Sequence, residues 1–168
     1  MESEIHFRKA TIKDLSLLKY WDQQLHVITA SGGDDEIEWE IELNSSSPFS
    51  EYLIAILNER PIGVVQIIDP ANEETHYWGF DVEQNLRAID IWIGDASDLG
   101  KGYGTKMMKL AIELCFSNPQ ISAILIDPLV SNKDAIRFYE RIGFKFLEYR
   151  TFGEDECYVM KFERKTFE

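Results

Sequence analysis

The sequence predicts an α/β (α+β) protein in which helices cover one mixed sheet. Three observations carry this prediction. Short alternating apolar and polar runs mark strands at both ends of the chain. Three segments repeat apolar residues at helical spacing. The strand–helix–strand run between residues 88 and 126 requires a right-handed parallel crossover within the sheet. The predicted order is β, α, α, β, β, β, α, β, α, β, β.

The elements follow from local chemistry. Ile5 and Phe7 alternate with polar neighbours, as a first strand does. Thr11 and Asp14 form a capping-box pattern, and Leu15, Leu18, Trp21 and Leu25 follow at helical spacing. Gly32 and Gly33 break the chain, and Ile37 with Ile41 predicts a second, short helix. Strands at 52–57 and 62–68 flank a hairpin-type turn at 58–61. A strand at 88–93 leads to a helix at 103–116, whose apolar face is read as Met107, Leu110, Ala111 and Leu114. Residues 121–126 are almost continuously apolar, as in a strand covered on both faces. A helix at 131–142 is read as capped by Ser131, with Asp134 three residues on and Gly143 closing it. Residues 146–162 form two strands around Phe152, Gly153 and Glu154.

At 168 residues, 45% of them hydrophobic, the chain suits one domain spanning 1–168 with a sizeable core. Thirty acidic residues against 17 Lys and Arg give a net charge of -13. That balance repels phosphate backbones and disfavours nucleic acid, while favouring a cationic small ligand. No apolar run is long enough to cross a membrane, and the charged start lacks a signal-peptide core, so a cytoplasmic protein is expected. Cys115 and Cys157 lie in apolar or strand-like runs and read as buried thiols. His6, His26 and His76 are dispersed and have no metal-ligand spacing. No serine or cysteine nucleophile stands beside a paired histidine, which disfavours an acyl-enzyme.

Two segments carry chemistry. In the first, the strand at 88–93 runs into a turn with glycines at 100, 102 and 104, and then into a helix. Such a turn lets the backbone approach a ligand closely, and the free N–H groups of the helix start favour an anion such as a pyrophosphate. The spacing matches neither the P-loop nor the dinucleotide pattern. The same arrangement also serves as a plain connection. In the second segment, Asp127 ends a strand, and Asn132, Ile136 and Tyr139 share one face of the helix that follows. Asp127 reads either as a ligand carboxylate at a strand end or as a turn residue before Pro128. Tyr139 reads either as a cleft residue or as half-buried packing.

Together these two motifs resemble the GNAT superfamily of acetyl-CoA-dependent N-acetyltransferases over residues 88–145. Residues 87–90, the stretch 94–106, Asp127 with Pro128, Ser131 with Asn132, and residues 135–144 are similar to the aminoglycoside 6'-N-acetyltransferases in particular. The resemblance implies a mostly antiparallel sheet with a central parallel strand pair, flanked by helices. It implies acetyl-CoA as cosubstrate, held by Gly100, Lys101, Gly102, Tyr103, Gly104 and Thr105 around the pyrophosphate. Asn132 and Ala135 would lie along the pantetheine arm, and Trp92 and Ile93 at the end of the catalytic strand. It assigns Asp90 to the catalytic aspartate, Asp127 to a substrate-side aspartate and Tyr139 to the tyrosine near the leaving thiolate. Trp39 and Trp78 are candidates for the substrate wall. The chain departs from the family in two places. Ala30 and Ser31 stand where the family has paired tryptophans, and the acidic stretch containing Asp69, Glu73, Glu74 and Asp81 is altered.

The residue chemistry is compatible with this assignment. An ammonium of pKa about 10.4 is neutral in only about one part in a few thousand at pH 7. A carboxylate both attracts the cation and accepts its proton as the nitrogen attacks. Asp90 interrupts an apolar strand and shares a face with Trp92. It reads either as that base or as a structural carboxylate paired with a loop or with Arg87. Tyr139 suits protonation of a departing thiolate, and backbone N–H groups at a bulge near Trp92 or Ile93 suit the acyl oxygen. The expected enzyme acetylates a small polycationic amine, most of all an aminoglycoside 6'-amine, with no metal, as a monomer or homodimer. The alternatives are a polyamine, a siderophore precursor or a protein amine as acceptor, a CoA-binding sensor without turnover, and a plain interaction domain.

Overall fold

The computed structural model describes residues 4–32 and 37–168. Gly33 and Glu36 lie outside the described residues. The elements are β1 (Ile5–Lys9), α1 (Leu15–Asp22), α2 (Leu25–Ser31), α3 (Trp39–Glu42), β2 (Ser50–Leu57), β3 (Arg60–Ile68), β4 (Leu86–Ile93), α4 (Tyr103–Phe116), β5 (Ala123–Ile126), α5 (Lys133–Ile142), β6 (Lys145–Phe152), β7 (Asp155–Glu163) and α6 (Arg164–Phe167).

The seven strands form one sheet in the order β1-β2-β3-β4-β5-β7-β6. Only β4 and β5 run parallel; the other neighbours are antiparallel. The β2–β3 hairpin turns on Asn58 and Glu59, both at positive φ, between the paired Leu57 and Arg60. That is the two-residue turn whose twist matches the flanking strands.

Local sequence explains most boundaries. Thr11 and Asp14 satisfy each other's backbone N–H groups, but the box caps a single 3₁₀ turn that leads into α1. The first helix is two helices rather than one, because Gln24 is extended and ends the pattern before Leu25, which is 78% exposed. In α3 the buried residue is Trp39, and Ile41 faces solvent, since the larger apolar surface takes the core position. The buried stripe of α4 is Met107, Met108, Ala111, Ile112 and Cys115, and Leu114 is exposed, so the predicted face was rotated. Helix α5 is capped by Asn132 and not by Ser131. The Asn132 side chain accepts the Ala135 N–H at 3.2 Å. Asn132→Ala should cost about 1 kcal/mol, or roughly 2–4 °C in Tm by thermal melting. Both cysteines are free and buried. Among the described residues no helix is long and apolar enough to cross a membrane.

The core positions the cleft. One sheet face packs against α4 and α5 through Ile89, Met108, Ile124 and Phe144. The opposite face carries two separate clusters. Trp21, Trp39, Ile54 and Val64 lie under α1 and α3, with Trp92 packed beside them. Trp78, Leu86, Ala88 and Leu125 form the other cluster. Along β4, Ala88 belongs to the second cluster and Trp92 meets the first. Asp90 lies between them on the same face, where neither cluster covers it.

Candidate active site

Strands β4 and β5 pair only through Leu86, Arg87 and Ala88, the last opposite Leu125. Beyond that point they part. On its other side β4 stays paired with β3 as far as Ile93 opposite Gly63. The expected bulge is therefore absent. The opening comes from two parting strands, and the register shifts of the sheet lie elsewhere, at Ile62 of β3 opposite Ala55 and Ile56 and between Phe146 and Glu148 of β6. Gly94 N–H donates to Ile62 O on the β3 side. Alternation along the strand then turns the backbone groups of Ile91 and Ile93 toward the gap. His26 of α2 reaches this edge, and its Nε2 lies 2.8 Å from Ile93 O. Sequence reading left His26 as a dispersed residue, because a bond across 67 positions leaves no local pattern.

Asp90 is open to the cleft yet ringed by protein, and desolvation pushes its carboxyl up to about 6. Asp127 follows β5, and burial, then the Asp90 charge, push its carboxyl up to about 8. The two carboxylates therefore titrate as a pair near neutral pH. Burial first, then the charges of Asp90 and Asp127, keep the Tyr139 phenol protonated well above its ordinary range. Asp90, Asp127 and Tyr139 are thus brought together from β4, β5 and α5.

The two tryptophans proposed as substrate walls are not walls. Trp39 is 0% exposed and donates its Nε1–H to Asp22 Oδ2 at 2.6 Å. Trp78 is 3% exposed and packs on Leu86, Ala88 and Val159. Both are packing residues, because an indole is too large to leave the core once a cluster surrounds it. The residue facing Asp127 is the neighbour of Trp78. Tyr77 donates its hydroxyl to Asp127 Oδ2 at 2.5 Å.

The acidic stretch divides in the same way. Glu73 is buried and spends both oxygens on the Thr75 and Tyr77 N–H groups and the Thr75 hydroxyl. Asp69 accepts from Ala71 and Asn72 and faces Arg87. Glu74 accepts from Ser47 and lines a cavity of about 830 Å³ with Glu42, Tyr52 and Gln66. Gln66 is the cross-strand partner of Asp90, so this cavity adjoins the cleft floor. Burial, then Glu38 and Glu74, raise the Glu42 carboxyl; Lys9 and Arg87 also line the cavity, outnumbered by its carboxylates.

The Gly-rich turn fits a phosphate. Gly100 and Gly102 take φ 73° and 82°, with open space where a side chain would be. The first turn of α4 has no side-chain cap and no acidic residue, and Lys101 adds a cation to the turn. Gly104, in the first turn of α4, faces Phe138 of α5 at ordinary contact distance. Arg60 holds buried Asp98 with two bonds, at 2.7 and 3.0 Å, fixing the turn just ahead of the glycines. Among the described residues no three His, Cys, Asp or Glu side chains are grouped to hold a metal.

Residues 11–152 match the model of the acetyltransferase (GNAT) domain. This chain belongs to the GNAT acetyltransferase family. It is 30% identical to the aminoglycoside N(6')-acetyltransferase type 1 of Klebsiella pneumoniae, over 98% of this chain and 85% of that protein. The crystal structure of the aminoglycoside acetyltransferase AAC(6')-Ib with coenzyme A and kanamycin superposes with a TM-score of 0.86 at 30% identity, covering 98% and 97% of the two chains. The same enzyme with ribostamycin and coenzyme A gives 0.88.

For a GNAT acetyltransferase, the parted β4–β5 edge and the uncapped start of α4 are the features that fit coenzyme A. Gly100 to Thr105 would take its pyrophosphate, Ile91 and Ile93 would supply backbone to its arm, and the start of α5 would flank it; the Trp92 backbone, expected there, turns instead toward Val64 of β3. Asn132 and Ala135 are bonded to each other there, so their part is to shape that helix start.

Proposed function

We propose that this chain transfers an acetyl group from acetyl-CoA to the 6'-amine of an aminoglycoside. The carrying observation is the placement of Asp90 and Asp127 together in the cleft, in front of the open edge of β4. Acetyl-CoA supplies the activated acyl group.

The chain's own residues have separable tasks. The ionised fraction of Asp127, whose carboxyl is raised to about 8, attracts the acceptor ammonium. Asp90, in the gap between the two core clusters, takes the proton from the attacking nitrogen. The N–H groups turned toward the gap stabilise charge on the acyl oxygen. Tyr139, held protonated, gives a proton to the departing sulfur. The cavity lined by Glu42 and Glu74 receives further amino groups of a polycation. The net charge of -13 steers such a substrate inward.

The test is thiol release from acetyl-CoA with kanamycin, tobramycin, spermidine and a lysine peptide. Rapid release with the aminoglycosides alone is expected. Release with spermidine or peptide but not with aminoglycosides would replace the acceptor while keeping the chemistry.

A further inference from the structure

We propose that Tyr77 is a positioning residue for the acceptor amine: its phenol pins Oδ2 of Asp127, so that an ionised Oδ1 is presented to the ammonium. This assignment rests on the acceptor reading above, in which Asp127 is the substrate carboxylate.

Three elements converge to fix the phenol. The Tyr77 backbone N–H is held by buried Glu73 Oε1 at 2.7 Å. Its ring lies flat on Phe152, at the end of β6, with centroids 4.5 Å apart and planes 5° from parallel. The carbonyl of the next residue, Trp78, accepts from Arg150 Nη2 at 2.6 Å, and the Arg150 guanidinium lies 4.9 Å from the Phe152 ring centroid. So anchored, the hydroxyl donates to Asp127 at 2.5 Å. A stacked and doubly tethered tyrosine costs little extra entropy to keep in place.

The charge environment gives this bond its consequence. Asp127 faces Asp90 on β4, Tyr77 on the loop before β4, Arg150 on β6, Cys157 on β7 and Tyr139 on α5. Burial and Asp90 favour the neutral acid at Asp127. The Tyr77 hydrogen bond and Arg150 favour the carboxylate. Tyr77 is half exposed, yet desolvation around its hydroxyl and the Asp127 charge keep the phenol protonated, so it remains a donor. With it Asp127 titrates at about 8; without it the midpoint rises further, and the ionised fraction that attracts a cation at neutral pH falls.

Tyr77→Phe keeps the stack and removes the donor. Two readouts separate positioning from mere packing. In the first, steady-state kinetics from pH 6 to 9 should give a KM for the aminoglycoside raised about tenfold or more at pH 7. That rise should shrink by pH 9, with the KM for acetyl-CoA unchanged. In the second, carbon-13 NMR of the aspartate carboxyls should place the Asp127 midpoint higher in the variant, with or without substrate. An unmoved Asp127 titration, or an acceptor KM that is unchanged or raised equally at all pH values in an active enzyme, would overturn the assignment. A wild-type protein silent toward every aminoglycoside would instead sink the acceptor reading itself.

Discussion

Asp90→Asn should lower kcat for amine acetylation by about 10²- to 10⁴-fold, the range expected for removing a positioned general base. Affinity for acetyl-CoA should be unchanged, because Asp90 lies on the sheet face opposite the one that packs against α4. The pH dependence follows from the raised carboxyl, at about 6. As pH falls through that value the base is protonated and the wild-type rate drops; the variant should lose this dependence on Asp90. Stability moves in the opposite sense. A carboxyl whose folded pKa exceeds its unfolded value contributes stability that is fully present below about pH 4 and is lost as pH rises through about 6. Asp90→Asn should therefore raise Tm at pH 8 more than at pH 5. The gain is modest, because the carboxylate is open to the cleft and screened by solvent. Turnover near the wild-type level would remove Asp90 as the base.

Gly94→Ala should be the most damaging small change in the fold. A Cβ at Gly94 would stand 2.1 Å from Cε2 of Trp21 and 2.3 Å from its Nε1. Trp21 is fully buried among Leu18, Trp39, Ile54 and Val64, so the indole has nowhere to retreat. The backbone cannot yield freely either, because Gly94 N–H is bonded to Ile62 O at 2.9 Å. Overpacking of this kind costs about 3 kcal/mol, which lowers Tm by roughly 6–12 °C in a domain of this size. Urea or thermal melts check it. The same substitution in a Trp21→Phe background should cost less, since the smaller ring frees space. Equal costs in both backgrounds would show that the two residues are not coupled.

What was legible in the sequence is what leaves a periodic or contiguous trace. The order of strands, the parallel crossover and the Gly-rich turn were read from spacing alone, whereas the split of the first helix and the short α6 were not. Asp90 was visible because an aspartate in mid-strand breaks an apolar alternation. The missed features depend on contacts distant in sequence. Tyr77 reaches Asp127 across 50 positions, and His26 reaches Ile93 across 67. Neither pair has a local signature. Trp39 and Trp78 were placed at the substrate because aromatic residues suit both walls and cores, and only packing decides between them. The α4 face was rotated because Leu110 and Leu114 are as apolar as the methionines that took the core. Glu73 stood in the sequence only as one carboxylate of the altered acidic stretch, and its oxygens are consumed by the turn it stabilises.

The most direct measurement compares two aminoglycosides that differ at one position, a 6'-amine in neomycin and a 6'-hydroxyl in paromomycin. Thiol release from acetyl-CoA would be followed at neutral pH, with the product located by NMR. The account predicts rapid release with the 6'-amine, acetylation at that nitrogen, and at most slow release with the 6'-hydroxyl. Equal rates with both, or acetylation at another amine, would contradict it.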